Sequence, residues 1–330
     1  MSSNIFSGKK VLITGGFGFT GSNLARRLVN CGAEVSLLKR ESDDKKNVED
    51  IINKVKIIAG DVRDYAKIEE SIKEKDYIFH LASQSSVPVS MENPFLDLDT
   101  NCKATLNLLE SCRKINKNAK IIFAGTIREA GQIEGTYANE EQREFPTSIV
   151  DLHKLASEKY LQIYHKVYGL NTTTLRFSNI FGPGQYVTHP HKSVINHIIK
   201  KVLSDKKIEV YGDGGPLRDY NYVENVVDAC LNAAQSPNTA GGYYIIGSGE
   251  GNTFKDFLEK LKKLVMEMYG FSIEIKKIET PEIISKTSQG SVIADYKKFN
   301  KATGWIPKIN FENGIRKTAD FYYKNLDIQS

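Results

Sequence analysis

The feature that most constrains this 330-residue chain is a glycine-rich turn set between a strand and a helix near its N-terminus. Lys10-Val-Leu-Ile-Thr14 has the pattern of a buried strand and runs directly into Thr14-Gly15-Gly16-Phe17-Gly18-Phe19-Thr20-Gly21. Helical spacing follows from Ser22 to Cys31, with Leu24, Ala25, Leu28 and Val29 on one side. The glycines fit G-x-G-x-x-G through Gly16, Gly18 and Gly21, and G-x-x-G-x-x-G through Gly15, Gly18 and Gly21. Such a turn needs no side-chain chemistry. It lets the backbone fold tightly and brings a pyrophosphate to a helix N-terminus, where free N–H groups and the helix dipole favour an anion.

The rest of the chain repeats the strand–helix grammar. Strand patterns recur at Glu34–Leu38, Val55–Ala59, Tyr77–Leu81, Lys120–Ala124 and Thr172–Phe177. Helical stretches fall at Ala66–Lys75, Leu98–Asn116, Ile149–Tyr168 and Val194–Ser204. This alternation predicts an α/β fold, a doubly wound parallel sheet covered on both faces. The last third differs: Gly212-Asp-Gly-Gly215 and Gly247-Ser-Gly-Glu-Gly251 interrupt it, and Phe254–Tyr269 reads as a helix. The expected division is a Rossmann domain over residues 1–185, with about 223–250 returning to it. A smaller α/β C-terminal lobe takes about 186–222 and 251–330.

Composition narrows the function classes. The charge of +5 is scattered in pairs such as Lys9-Lys10 and Lys200-Lys201, whereas a nucleic-acid binder concentrates it on one face. No apolar run reaches the length of a membrane span. The first strand begins by about residue 10, which leaves no room for a signal peptide. Cys31, Cys102, Cys112 and Cys230 show no C-x-x-C spacing and read as reduced thiols. The expectation is a cytoplasmic protein without a metal site, binding neither nucleic acid nor membrane.

The second strand pattern ends in Leu38-Lys39-Arg40-Glu41. Dinucleotide folds place an acidic residue there for the ribose 2′-hydroxyl. Here Lys39 and Arg40 suit a 2′-phosphate, which favours NADP over NAD. The alternative is an ordinary solvated strand end with Glu41 reaching the ribose.

Seven stretches together resemble the extended short-chain dehydrogenase/reductase family, the nucleotide-sugar epimerases and dehydratases. They are TGGFGFTGSNL at 14–24, GDV at 60–62, HLASQSSVPVSMENP at 80–94, NCKATLNLLE at 101–110, RFSNIFGPGQ at 176–185, VYGDGGPLRDYNYVENVVDA at 210–229 and TGWIPK at 303–308. The resemblance implies an NAD(P)-dependent enzyme with a nucleotide-diphosphate sugar held between domain and lobe, and a homodimer. It places Gly15, Gly18, Phe19 and Gly21 at the cofactor pyrophosphate and Asp61 and Val62 at the adenine. Leu81 and Ala82 would line the cofactor path, and Asn101 would support the active site. Gln84, Ser85, Asn179, Tyr211, Gly212 and Arg218 would face the substrate, with Arg218 on its phosphates.

One departure bears on mechanism. The family's Tyr-x-x-x-Lys belongs at the start of the helix after Phe145-Pro-Thr-Ser148. Lys154 is present, but Val150 stands four residues before it, and none of the 16 tyrosines has a lysine four positions on. In the family that tyrosine takes the proton of a sugar hydroxyl while the lysine lowers its pKa and holds the cofactor ribose. Thr126 matches the family's active-site Ser/Thr. Glu129 and His153 are the nearby groups able to carry a proton, while Asp151 fits a helix cap with Ser148. The dehydratases' Asp-Glu pair is replaced by Ile127 and Arg128. Ser288 stands where many relatives carry a phosphate-gripping Arg, and Lys286 is the candidate to substitute for it.

The leading expectation is oxidation of a ring hydroxyl, at C4 by resemblance, with hydride passing to the nicotinamide. Two alternatives stay open: a 4,6-dehydratase with a rearranged acid pair, and a catalytically silent dinucleotide-binding sensor or scaffold.

Overall fold

Continuous apolar runs become central strands because parallel sheets are buried on both faces. The computed structural model describes residues 5–131, 133–185, 194–211, 215–278 and 290–325. Its first half contains β1 (Lys10–Thr14), α1 (Phe19–Asn30), β2 (Glu34–Lys39), β3 (Lys56–Ala59), α2 (Tyr65–Ser71) and β4 (Tyr77–His80). Two short helices, α3 (Val87–Glu92) and α4 (Pro94–Asp97), precede α5 (Ala104–Ile115) and β5 (Lys120–Thr126). After the short β6 (Tyr137–Ala138) come α6 (Ile149–Tyr168), β7 (Asn171–Phe177) and β8 (Asn179–Phe181).

The second half contains α7 (Val194–Asp205), β9 (Lys207–Tyr211), β10 (Arg218–Tyr222), α8 (Val223–Gln235) and β11 (Tyr243–Ile246). It closes with β12 (Gly251–Asn252), α9 (Phe254–Tyr269), β13 (Glu274–Ile278), β14 (Ile293–Ala294), α10 (Lys297–Thr303) and α11 (Phe311–Lys324).

Seven parallel strands make the main sheet in the order β11-β7-β5-β4-β1-β2-β3. The order reverses at β1, where a doubly wound sheet leaves a crevice at its C-terminal strand ends. One face is covered by α1 and α8, whose Leu24, Leu28, Val226 and Cys230 join Ile13, Phe79 and Leu175 in one core. The other is covered by α2, α5 and α6 through Ile68, Leu108, Leu109 and Leu161. A separate core gathers α7, α9 and α11 around Ile199, Phe257, Leu261, Phe311 and Ile315.

The helix expected over Leu98–Asn116 is divided: Leu98–Lys103 forms a π turn before α5. The Asn101 carbonyl accepts from Thr105 Oγ1 at 2.6 Å and from Ser157 Oγ at 3.2 Å. Hydroxyls inserted into the helical ladder widen it locally. The Asn101 side chain is thereby fixed against the loop after β4, bonding Ser83 and both backbone groups of Gln84.

Candidate active site

A cavity of about 610 Å³ opens at the C-terminal ends of β1, β4, β5 and β7, with β8, β10 and α7 on its far side. A second of about 300 Å³ lies toward β2 and β3. Gly15, Gly18, Leu81 and Ser83 line both, so the two meet at the glycine turn.

The turn is built for close approach. Gly15 has φ +72°, and a Cβ on it would stand 2.7 Å from the Ala82 nitrogen. A Cβ on Gly21 would stand 2.2 Å from the Gly15 carbonyl oxygen. Gly18 is the N-cap of α1 and supplies no side chain to its first N–H groups. Those donors and the helix dipole suit a pyrophosphate, so the residues fit a dinucleotide. Gly15, Gly18, Phe19 and Gly21 all line the larger cavity.

Arg40, Asp61, Val62, Leu81 and Ala82 line the smaller cavity. Arg40 is held by Asp43, its Nη2 donating to Oδ1 at 2.7 Å. Asp61 accepts from Arg63 Nη2 at 2.8 Å; burial pushes its carboxyl up, but the Arg63 hydrogen bonds outweigh this and hold it below the usual range. Lys39 is not among the lining residues. Its amine turns back to the carbonyls of Arg40 and Glu41, at 2.9 and 3.4 Å.

The catalytic region sits on β5 and α6. Ser148 caps α6, its Oγ accepting from the Asp151 N–H at 3.3 Å and donating to Asp151 Oδ2 at 2.6 Å. Helical geometry then places Val150, Asp151 and Lys154 together on the cavity wall, with Thr126 opposite on the end of β5. Lys154 is buried, and its Nζ donates to the Ala124 carbonyl at 2.8 Å, 4.6 Å from the centre of the Phe123 ring. Burial lowers its pKa to about 8, against the opposing pull of Glu129 and Asp97. His80, between Thr14 and Thr105 beneath this wall, is held neutral at about 3 by burial and then by the Lys154 charge.

Glu129 and His153, the two proton carriers expected from sequence, are not brought to the cavity. Glu129 is fully buried, and its Oε1 accepts from the Thr126 N–H at 2.7 Å, closing a capping box on the turn after β5. Its other oxygen meets Arg176, which also pairs with Glu158 at 2.6 Å and with Glu144. Burial, with Glu158 nearby, raises the Glu129 pKa well above the carboxylate range. His153 Nδ1 lies 2.7 Å from Asp97 Oδ1, and Asp97 also accepts from Gln84 Nε2 at 2.7 Å. Gln84 is thus engaged inside the loop, whereas its neighbour Ser85 lines the cavity.

Asn179 and Arg218 line the far side. Asn179 Nδ2 donates to the Asp219 carbonyl at 3.1 Å, and Arg218 Nη1 to the carbonyl of Gly290 at 2.6 Å. The side chain of Tyr211, with Gly212, Lys286 and Ser288, lies outside the described residues. Among the wall residues that the sequence does not mark as site residues are Tyr220, stacked on Phe311, and Arg128, paired with Asp151 across 23 positions. The only sequence signal for Arg128 is its place in the slot of the dehydratases' acidic pair.

Comparison with known proteins agrees with this geometry. A family described as GDP-mannose 4,6 dehydratase matches residues 12–318. CDP-paratose 2-epimerase of Salmonella typhi is 28% identical over 340 residues, spanning 94% of this chain and 98% of that protein. The structure of Thermus thermophilus UDP-glucose 4-epimerase in complex with NAD is 33% identical, with a TM-score of 0.82, and the match covers 95% of this chain and 98% of that one. Thermotoga maritima UDP-glucose 4-epimerase with UDP-glucose is 29% identical, with a TM-score of 0.86 and coverage of 96% and 99%. With the family match running from Leu12 to Thr318, this chain belongs to the GDP-mannose 4,6 dehydratase family, the extended short-chain dehydrogenase/reductases that act on nucleotide sugars.

Proposed function

We propose that this enzyme oxidises a ring hydroxyl of a nucleotide-diphosphate sugar, at C4, and that Lys154 rather than a tyrosine moves the hydroxyl proton. One observation carries the reading: Lys154 is the described cavity residue with a pKa brought close to neutral, at about 8. The competing groups are less suited. Asp151 is engaged by Arg128 and Ser148, Tyr220 is pushed up by burial, and arginines do not give up protons in this range.

When bound, the dinucleotide supplies a nicotinamide that accepts and returns hydride. Gly15, Gly18 and Gly21 would hold its pyrophosphate, and Asp61, Val62 and Arg40 its adenosine end. The neutral Lys154 amine takes the hydroxyl proton in the forward step and returns it in the reverse. Thr126 orients the hydroxyl. Asn179 and Arg218 bind the diphosphate. Return of hydride to the opposite face of the keto sugar gives an epimerase; release of the keto sugar gives a dehydrogenase. The engagement of Asp151, together with Ile127 and Arg128 in the acid-pair positions, supports oxidation over 4,6-dehydration.

The same proposal divides the chain between a cofactor domain (1–185 with 223–250) and a substrate lobe (186–222 and 251–330). It includes a cytoplasmic homodimer. Leu152, Ile163 and Val167 lie exposed along one side of α6, which suits a partner helix. No helix among the described residues is long and apolar enough to cross a membrane.

The test is incubation with NAD or NADP and a panel of nucleotide sugars, following absorbance at 340 nm and product mass. Turnover by the wild type and its loss in Lys154→Met at saturating cofactor, with the cofactor affinity of each measured by calorimetry, is the expected result. Absence of turnover with every sugar would favour the silent sensor.

A further inference from the structure

We propose that Arg128 makes this cavity selective for a sugar that carries a carboxylate, a hexuronate or another acidic hexose. The inference rests on the nucleotide-sugar reading above and specifies its substrate class.

Arg128 follows Thr126 by two residues on the turn after β5 and lines the same cavity as Val150 and Lys154. That wall is where the reacting part of the sugar must lie, away from Asn179 and Arg218. The guanidinium is held in place from behind. Its Nε donates to Asp151 Oδ1 at 3.0 Å and its Nη2 to Oδ2 at 3.2 Å, while Asp151 is itself buried and bound by Ser148. Asp151 thus occupies one edge of the fork. Among the described residues Nη1 meets no acceptor, and the side chain remains 39% exposed. A planar fork fixed along one edge and open along the other is suited to a carboxylate.

Charge points the same way. Among the described residues, the charged side chains that line the cavity are Arg128 and Lys154 on this wall, Arg218 on the far side, and Asp151. Arg218 feels the positive charge of Arg128, after burial and the opposing influence of Tyr220. A substrate diphosphate answers Arg218. A carboxylate on the sugar would meet the open edge of the Arg128 fork, whereas a neutral hydroxymethyl group would leave that edge without a charged acceptor.

The experiment is calorimetry on the NAD-loaded protein with UDP, UDP-glucose, UDP-glucuronic acid and UDP-N-acetylmuramic acid, for wild type, Arg128→Gln and Arg128→Lys. The wild type is expected to bind at least one of the two acidic sugars tenfold or more tighter than UDP-glucose. Which one wins separates a carboxylate at C6 from one on a 3-O substituent. In Arg128→Gln that preference should fall to about twofold or less with UDP-glucose affinity little changed, and Arg128→Lys should keep part of it. Thermal melting checks that the variants fold. Equal wild-type affinity for acidic and neutral sugars overturns the proposal without any variant. Equal loss of UDP, UDP-glucose and the acidic sugars in Arg128→Gln assigns Arg128 to the diphosphate and also overturns it. If UDP, GDP, CDP and dTDP all fail to bind the wild type, the nucleotide-sugar reading falls instead. If another base binds, the neutral and acidic sugars of that base replace the uridine pair.

Discussion

Val150 and Lys154 stand one turn apart on α6 and line the same cavity wall, one unable to hold a proton and the other buried with a pKa near 8. The pairing turns an absent side chain into a pH signature. Burial lowers the Lys154 pKa, so the amine is protonated below about pH 8 and neutral above it. As a base, Lys154 should make kcat/KM for oxidation rise about tenfold per pH unit below pH 8 and level off above it. A flat profile from pH 6.5 to 9 would remove Lys154 from that role.

Val150→Tyr restores the family phenol on the same wall. A positioned acid/base contributes about 10²–10⁴-fold, so even a partly placed phenol should raise kcat tenfold or more and change the pH profile. Steady-state kinetics across pH would show it. A lower kcat with unchanged folding would mean that the phenol blocks the sugar.

Glu129 is a structural group. Replacing it with Gln disturbs a buried hydrogen-bonded cluster in which Arg176 keeps Glu158 and Glu144, which costs about 1–3 kcal/mol. Urea denaturation should show that loss. The pH profile of kcat/KM in folded Glu129→Gln, and in His153→Gln, should keep the wild-type midpoint. A shifted midpoint in either variant would return that residue to the proton path.

Gly21→Ala forces a Cβ to within 2.2 Å of the Gly15 carbonyl oxygen, in the turn that shapes the pyrophosphate cradle. The backbone must move, and NAD affinity should drop at least tenfold by calorimetry. A variant that binds NAD normally would contradict the placement of the cofactor at this turn.

Arg40 is the cation from the second strand end that reaches the smaller cavity, and Asp43 already holds it. If NADP is preferred, Arg40→Ala should weaken NADP tenfold or more and leave NAD within about twofold. Tighter binding of NAD by the wild type would reject the preference and leave Arg40 a partner of Asp43 alone.

Much of this fold is legible in the chain itself. The apolar runs of β1 and β4, the glycines before α1, and the helical spacing of Ile149–Tyr168 and Phe254–Tyr269 are local patterns, and local patterns survive into the structure. The lost tyrosine is equally local, since a Tyr-x-x-x-Lys motif needs only four positions on one helix. Glu129 shows the limit. Its sequence position beside Thr126 suits a base, but its side chain folds inward because Arg176, 47 residues away, offers a buried countercharge and the Thr126 N–H needs a cap. The same reason hides the partners of His153 and Arg128, Asp97 and Asp151. The sequence by itself determined the sheet, the pyrophosphate turn and the absence of the phenol. Only the tertiary structure decided which charged side chains face the cavity, because that choice depends on which opposite charges packing brings within reach.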